Sequence, residues 1–315
     1  MGAQIAATVS TSVPIVLLII LGYVLRRTGI LSDRGVGEVK TLIVNVALPA
    51  VLFVAFLTIE FDTRYLGLFV FMPIVLFALL GFGYLFEGAP GMRRPTPFLM
   101  TGFEFGMLGI GLFGTAYGRE HLGTISVVGL PHELFIWFVF VALMRARYGG
   151  TSSLAATLRS FVTSPVIVAI VAGTILNLSG AAGWITSATG PASVIAALEM
   201  LGGIVGPLIL IVIGHGTRIS RKGIAEAAPL VLVRLAIVLA IGIGVVPVVT
   251  EGILGLPPIF THAVFTFLIL PPPFIVPLYL PEREREDLSF ANNVLSVYTV
   301  FSVAVFILYI ALRPV

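Results

Sequence analysis

A glutamate stands among glycines in the apolar stretch Thr101-Gly102-Phe103-Glu104-Phe105-Gly106-Met107-Leu108-Gly109-Ile110-Gly111. A carboxylate in such a setting has to be paired, protonated or bathed in water, because the ionised form at the centre of a bilayer costs roughly 2.5–3.5 kcal/mol on insertion scales. Such a group can carry a coupling proton, or ligate sodium together with carbonyls freed by a helix break. Its structural alternative is a paired Glu at a helix contact. A second acidic candidate, Glu133, follows His132 in Pro131-His132-Glu133-Leu134-Phe135-Ile136-Trp137. Histidine titrates nearest physiological pH, so this pair is suited to passing protons. A zinc-protease helix would need His-Glu-x-x-His, and Ile136 occupies the last of those positions.

The elements that must hold these groups are membrane helices, and two of them cannot run straight. Pro271, Pro272 and Pro273 remove three successive backbone donors and clash with the preceding turn. The glycines around Glu104, with Gly109 and Gly111 among them, permit a break in the other stretch. Irregular backbone at membrane depth persists only where protein buries it or where it lines a watery cavity. Each half-helix would turn unpaired N–H groups and a positive dipole end to the midplane, and two such ends face to face would seat a carboxylate without Lys or Arg. Glu104 opposes that arrangement unless it is protonated, or unless the solute is neutral or cationic.

Composition fixes the solvent. A mean hydropathy of +1.11 with 58% hydrophobic and 10% charged residues excludes an ordinary soluble domain. Apolar runs of bilayer-spanning length fall at about 8–26, 38–58, 65–86, 96–116, 123–145, 163–179, 191–214, 229–250, 259–280 and 288–312. The first 25 residues hold no Lys or Arg, so the first run reads as a retained span and not as a signal peptide. Fourteen basic residues fall in the odd-numbered connections, against Arg64, Arg119 and Arg313 in the others and at the ends. This alternation predicts cytoplasmic odd loops and both termini outside the cytoplasm of a cell (plasma or inner) membrane. No basic patch suited to nucleic acid is visible. The absence of Cys removes disulfides and thiolate metal sites.

The two halves of the chain, 1–150 and 151–315, echo each other. Thr11-Ser12-Val13-Pro14-Ile15-Val16 matches Thr163-Ser164-Pro165-Val166-Ile167-Val168, and Asn45-Val46-Ala47-Leu48-Pro49 matches Gly203-Ile204-Val205-Gly206-Pro207. The glycine-broken fourth span then pairs with the proline-broken ninth. Five spans per half is an odd number, so the second half must insert upside down, as in the inverted repeats of carriers with alternating access.

These residues carry a family resemblance. Asn45 to Pro49, the crossover Glu104 to Leu112, the stretch Gly206 to Gly214 and the block Leu270 to Glu282 resemble the auxin efflux carrier (AEC/PIN-like) family in its prokaryotic form. The resemblance covers essentially the whole chain. It implies an all-α polytopic membrane protein of bile-acid-symporter/NhaA-like type. Ten transmembrane helices would form two inverted five-helix repeats, with crossed broken helices 4 and 9 and a scaffold beside a moving transport subdomain. The implied activity is elevator-type carriage of a small organic anion, such as a carboxylate or auxin-like acid, driven by protons or the membrane potential. Asn45, Pro49, Glu104, Gly109, Gly111, Glu133 and Pro271 to Pro273 would bind the solute, and Glu104, His132 and Glu133 would couple the ion. In this chain Glu104 stands where the family's fourth helix usually has Asn, and Gly111 where it usually has Pro.

Other polar residues have plainer readings. Arg234, some five residues into the eighth span, is placed to snorkel and pair structurally, or to neutralise a carboxylate or substrate anion. Glu199 suits a structural or gating role. His215 and Arg218 suit helix capping, and the run Glu282 to Asp287 a solvated loop with local ion pairs. No motif points to an enzyme, a metal site or a cofactor beyond a coupling ion, with H+ favoured over Na+. The expected partners are the solute and the lipid bilayer, and a homodimer is left open. The alternatives are a sodium-coupled symporter of the bile-acid carrier type and a membrane ligand sensor that does not transport.

Overall fold

The computed structural model describes residues 2–59, 62–148, 159, 162–216, 220–281 and 283–313. The boundary between the two expected halves, and the expected roles of Arg218 and Glu282, lie outside these residues. Among them the chain is helical, with no strand. Among the described residues, six helical stretches are long and apolar enough to cross a bilayer: Asp33–Thr58, Thr63–Phe86, Arg119–Tyr148, Gly190–Gly216, Arg221–Ile253 and Arg285–Leu312. Two shorter apolar helices, Pro165–Leu178 and Pro258–Ile269, accompany them. Large apolar side chains such as Leu85, Met200 and Ile253 are more than 70% exposed on the outside, a surface made for lipid. The protein is an all-helical, multi-pass membrane protein.

In chain order the helices are α1 (Gly2–Arg27), α2 (Asp33–Leu42), α3 (Leu48–Thr58), α4 (Leu66–Phe86), α5 (Thr96–Met100), α6 (Ile110–Tyr117), α7 (Leu122–Phe135) and α8 (Val141–Tyr148). They continue with α9 (Pro165–Leu178), α10 (Ala182–Ser187), α11 (Thr189–Gly203), α12 (Val205–Gly216), α13 (Arg221–Ala240), α14 (Pro258–Ile269), α15 (Val276–Tyr279) and α16 (Arg285–Leu312). Serines start several of them. The side chains of Ser32, Ser164 and Ser220 accept from the N–H of Gly35, Ile167 and Gly223, which satisfies a donor that the first turn leaves over. The Ser220 cap explains why α13 begins at Arg221, upstream of the expected 229, while Pro165 at the first helical position sets the start of α9.

Two helix pairs distant in the chain pack closely, α1 on α12 and α9 on α3. In one contact, α1 crosses α12 so closely that a Cβ on Gly22 would lie 2.0 Å from the Ile211 carbonyl oxygen; Arg26 donates to the His215 carbonyl at 2.9 Å one turn further on. In the other, α9 crosses α3, where a Cβ on Gly173 would lie 2.6 Å from the Phe53 carbonyl oxygen and Asn177 donates to the Leu57 carbonyl at 2.8 Å. Glycine at these points is required by backbone approach. Around this four-helix unit, α4 packs on α5 and α7, and α13 packs on α16.

Candidate functional site

Two chain breaks meet in the middle of the bundle. α5 ends at Thr101, whose backbone is extended, and Gly102 then takes φ +75°, a left-handed conformation that side chains resist. Helix resumes through a wide π turn at Phe105–Gly109 and continues as α6. The break therefore sits at Gly102. Gly111, expected to supply it, lies inside α6 with Ile209 packed on its face, and Gly109 is buried against Leu270. The second break follows α14: Leu270 turns extended, Pro271 to Pro273 carry no helix, and a short turn at Phe274 and Ile275 leads into α15. The two segments touch by backbone. The Glu104 N–H donates to the Pro271 carbonyl at 2.8 Å, and the Phe274 N–H donates to Glu104 Oε2 at 2.8 Å.

Arg234 of α13 ties the breaks together. Its side chain is fully buried, one of the largest so placed in the protein. It donates through Nη1 to the Leu99 carbonyl at 2.7 Å and through Nη2 to the carbonyls of Gly102 and Leu270 at 2.6 and 3.2 Å. The rings of Tyr298 and Phe103 lie 4.8 and 5.1 Å from its guanidinium carbon. The residue neither snorkels nor meets a carboxylate. It neutralises the carbonyl ends of both interrupted helices, whose dipoles are negative there. This differs from the expected pair of free positive ends: the N–H that opens the second segment at Phe274 is already taken by Glu104.

His132 and Glu133 of α7 complete the floor. The Phe103 N–H donates to His132 Nε2 at 2.9 Å, which leaves the ring proton on Nδ1, 3.3 Å from Glu133 Oε1. The Trp137 indole donates to Glu133 Oε2 at 3.2 Å. A proton relay through the buried His132 would first have to break its bond to Phe103. Glu104, His132 and Glu133 all line one cavity of about 500 Å³, walled by Phe103, Phe105, Trp137 and Phe274 together with the start of α9. Among the described residues no Lys or Arg lines it.

Of the other expected binding residues, Pro273 lines this cavity, while Pro271 and Pro272 are buried beside it and shape the crossing. Asn45 does not line it. It sits on a π turn at Ile43–Ala47, is exposed, and donates back to the Thr41 carbonyl at 3.0 Å; Val44 and Leu48 on either side face the cavity instead. Pro49, in the first turn of α3, is absent from the lining as well. His215 is buried and its Nε2 lies 2.8 Å from the Leu31 carbonyl oxygen, so it ties α12 to the loop after α1. In the acidic run, Glu284 and Glu286 form long-range ion pairs, with Arg94 and Arg93, 190 and 193 residues away.

A second, more polar cavity of about 580 Å³ lies along the same α3–α7 seam, with Thr58, Arg119, Glu120, Thr124 and Glu199 in its walls. The two spaces abut. Val51 faces the second cavity and Leu52 the first; across the seam Thr124 faces the second and Ser126 the first. Glu199 is exposed there, and its backbone carbonyl accepts from Arg119 at 3.0 Å. Residue type alone did not point to Arg234 as the clamp or to Ser126 at the divide, because their partners are backbone carbonyls, which leave no mark in a sequence.

No protein-family model matches the chain, and no curated protein matches it.

Proposed function

We propose that the chain is a secondary carrier that moves a small organic solute across the membrane by alternating access. The observation that carries this reading is the crossing of two interrupted helices at a cavity holding carboxylates, with a second cavity on the far side of a thin divide. Broken helices crossing at a cavity suit a binding site whose polar backbone is buried by protein. Two spaces along one seam suit a site that opens in turn to each side.

The packing supports an inverted repeat of ten spans. Gly173 and Asn177 follow Gly22 and Arg26 by 151 residues, and Ile211 and His215 follow Phe53 and Leu57 by 158. The four residues of the α1–α12 crossing thus correspond one by one to the four of the α9–α3 crossing. That correspondence favours a scaffold of these four helices beside a moving unit that contains both breaks. It also agrees with the auxin-efflux-carrier resemblance of the sequence.

Coupling is by protons or membrane potential on this reading. A sodium site at a helix break needs freed carbonyl oxygens. The carbonyls of Leu99, Gly102 and Leu270 are held by the Arg234 guanidinium, a cation that cannot leave. In proteoliposomes, an imposed pH gradient or potential should therefore drive flux, and an imposed sodium gradient should not. Glu104→Gln retains a carbonyl acceptor for the Phe274 N–H, so it should stay folded while its flux loses pH dependence. Sodium-driven flux, or an unchanged pH profile in that variant, would remove the coupling scheme.

A further inference from the structure

The solute expected from the resemblance is an anion, and the cavity is not built for one. Among the described residues its charged and titratable lining is Glu104, Glu133 and His132. His132 spends one ring nitrogen accepting from Phe103, so it stands there as a neutral ring and offers its proton to Glu133. The nearby guanidinium of Arg234 is fully buried behind Gly102, where three carbonyls and two aromatic rings solvate it, and it does not line the cavity. Lys40 lines a different, smaller pocket that Phe274 also borders. Among the described residues, a carboxylate entering this space would meet two carboxylates in its lining and no Lys or Arg.

We infer that the cavity takes an organic cation, a substituted ammonium with an apolar or aromatic body, held between Glu104 and Glu133 against the rings of Trp137, Phe105 and Phe274. Three features converge on that chemistry. The Glu133 carboxylate accepts once on each oxygen, from His132 and Trp137, and two carboxylate oxygens offer about four acceptor positions. Aromatic faces attract ammonium groups, most strongly where water is excluded. The volume of about 500 Å³, with walls mainly apolar, matches a small organic molecule and greatly exceeds a bare metal ion. The inference rests on the carrier reading for its physiological meaning, yet it can be tested by binding alone.

The chain has two tryptophans, Trp137 in the cavity and the exposed Trp184, so a Trp184→Phe protein reports on the cavity through one indole. Phenyltrimethylammonium, whose charge does not change with pH, should quench or shift that fluorescence saturably, and benzoate should not. Glu133→Gln in the same background should weaken the ammonium about tenfold or more, the loss expected when a desolvated charge partner is removed. Glu104→Gln should do the same; if it fails to fold, Glu133→Gln carries the test. Benzoate binding more tightly than the ammonium would overturn the inference, as would an ammonium titration that does not saturate or is unchanged by neutralising the carboxylates. Flux in proteoliposomes separates this from the carrier reading. Saturable ammonium binding without flux keeps the ligand class and removes carriage, whereas benzoate flux without ammonium binding keeps carriage and removes the ligand class.

Discussion

The two breaks solve the same problem with opposite inventories. The glycine break keeps every backbone N–H, so its donors need acceptors: Phe103 finds His132, and Glu104 finds the Pro271 carbonyl. The proline break has no N–H from residue 271 to 273, so it exports acceptors and has a donor to place only at Phe274. Donor-rich backbone therefore lies against donor-poor backbone, and the oxygens left over on both sides go to Arg234. A break made by glycine depends on its neighbours, whereas a break made by proline is written into the residues themselves.

The clamp that both breaks share gives the largest expected effect. Arg234→Met removes the donors of three buried carbonyls and should cost roughly 3–5 kcal/mol, read as a lower melting temperature in detergent. Arg234→Lys should recover only part, because one ammonium cannot reproduce the planar fork. Full stability of the Met variant would show that the carbonyls find other partners.

A smaller and more pointed contrast compares the breaks directly. Gly102→Ala must hold φ +75° and bring its Cβ to 2.8 Å from both Ile136 and Pro273, for about 2 kcal/mol or more. Pro272→Ala breaks no hydrogen bond, and the one N–H it adds at this buried position should cost about 1 kcal/mol. Equal losses in the two variants would erase the distinction between a dependent break and an autonomous one.

The smallest effect is expected at a peripheral cation of similar chemistry. Arg64 also binds a carbonyl, that of Gly255, but it is exposed and paired with Asp62 at 2.5 Å. The hydrogen bond from Arg64 holds the Asp62 carboxyl below the usual carboxylate range. A depressed carboxyl contributes stability above its unfolded-state value and loses it as pH falls through the folded one. Asp62→Asn should therefore lower the melting temperature only slightly near neutral pH, with the difference vanishing in acid. A large loss at neutral pH would mean that exposure does not separate the Arg64 and Arg234 sites.

Much of this arrangement is legible in the chain. The membrane class, the two interrupted segments and the placement of Glu104 at one of them follow from hydropathy and from proline and glycine chemistry. The location of the glycine break was less accessible, because Gly102 and Gly111 are equally permissive and only the contacts decide between them. The orientation of Asn45 depends on a π turn that rotates it outward, and no spacing rule anticipates that turn. Arg234 resembles an ordinary interfacial arginine until its carbonyl partners are seen. The pairing of Glu284 and Glu286 with Arg94 and Arg93 is a product of folding, since those partners are far away in the chain.

The divide between the two cavities has an electrical consequence. Water filling both spaces would conduct, so a transmembrane voltage would fall mainly across the protein between them, at Val51 and Leu52 opposite Thr124 and Ser126. A charge that passed this step would then feel nearly the whole field over a few ångströms, worth about 2.3 kcal/mol per 100 mV. On the proposed reading Leu52 is part of that insulation, so a substitution that wets it would turn the protein into a leak.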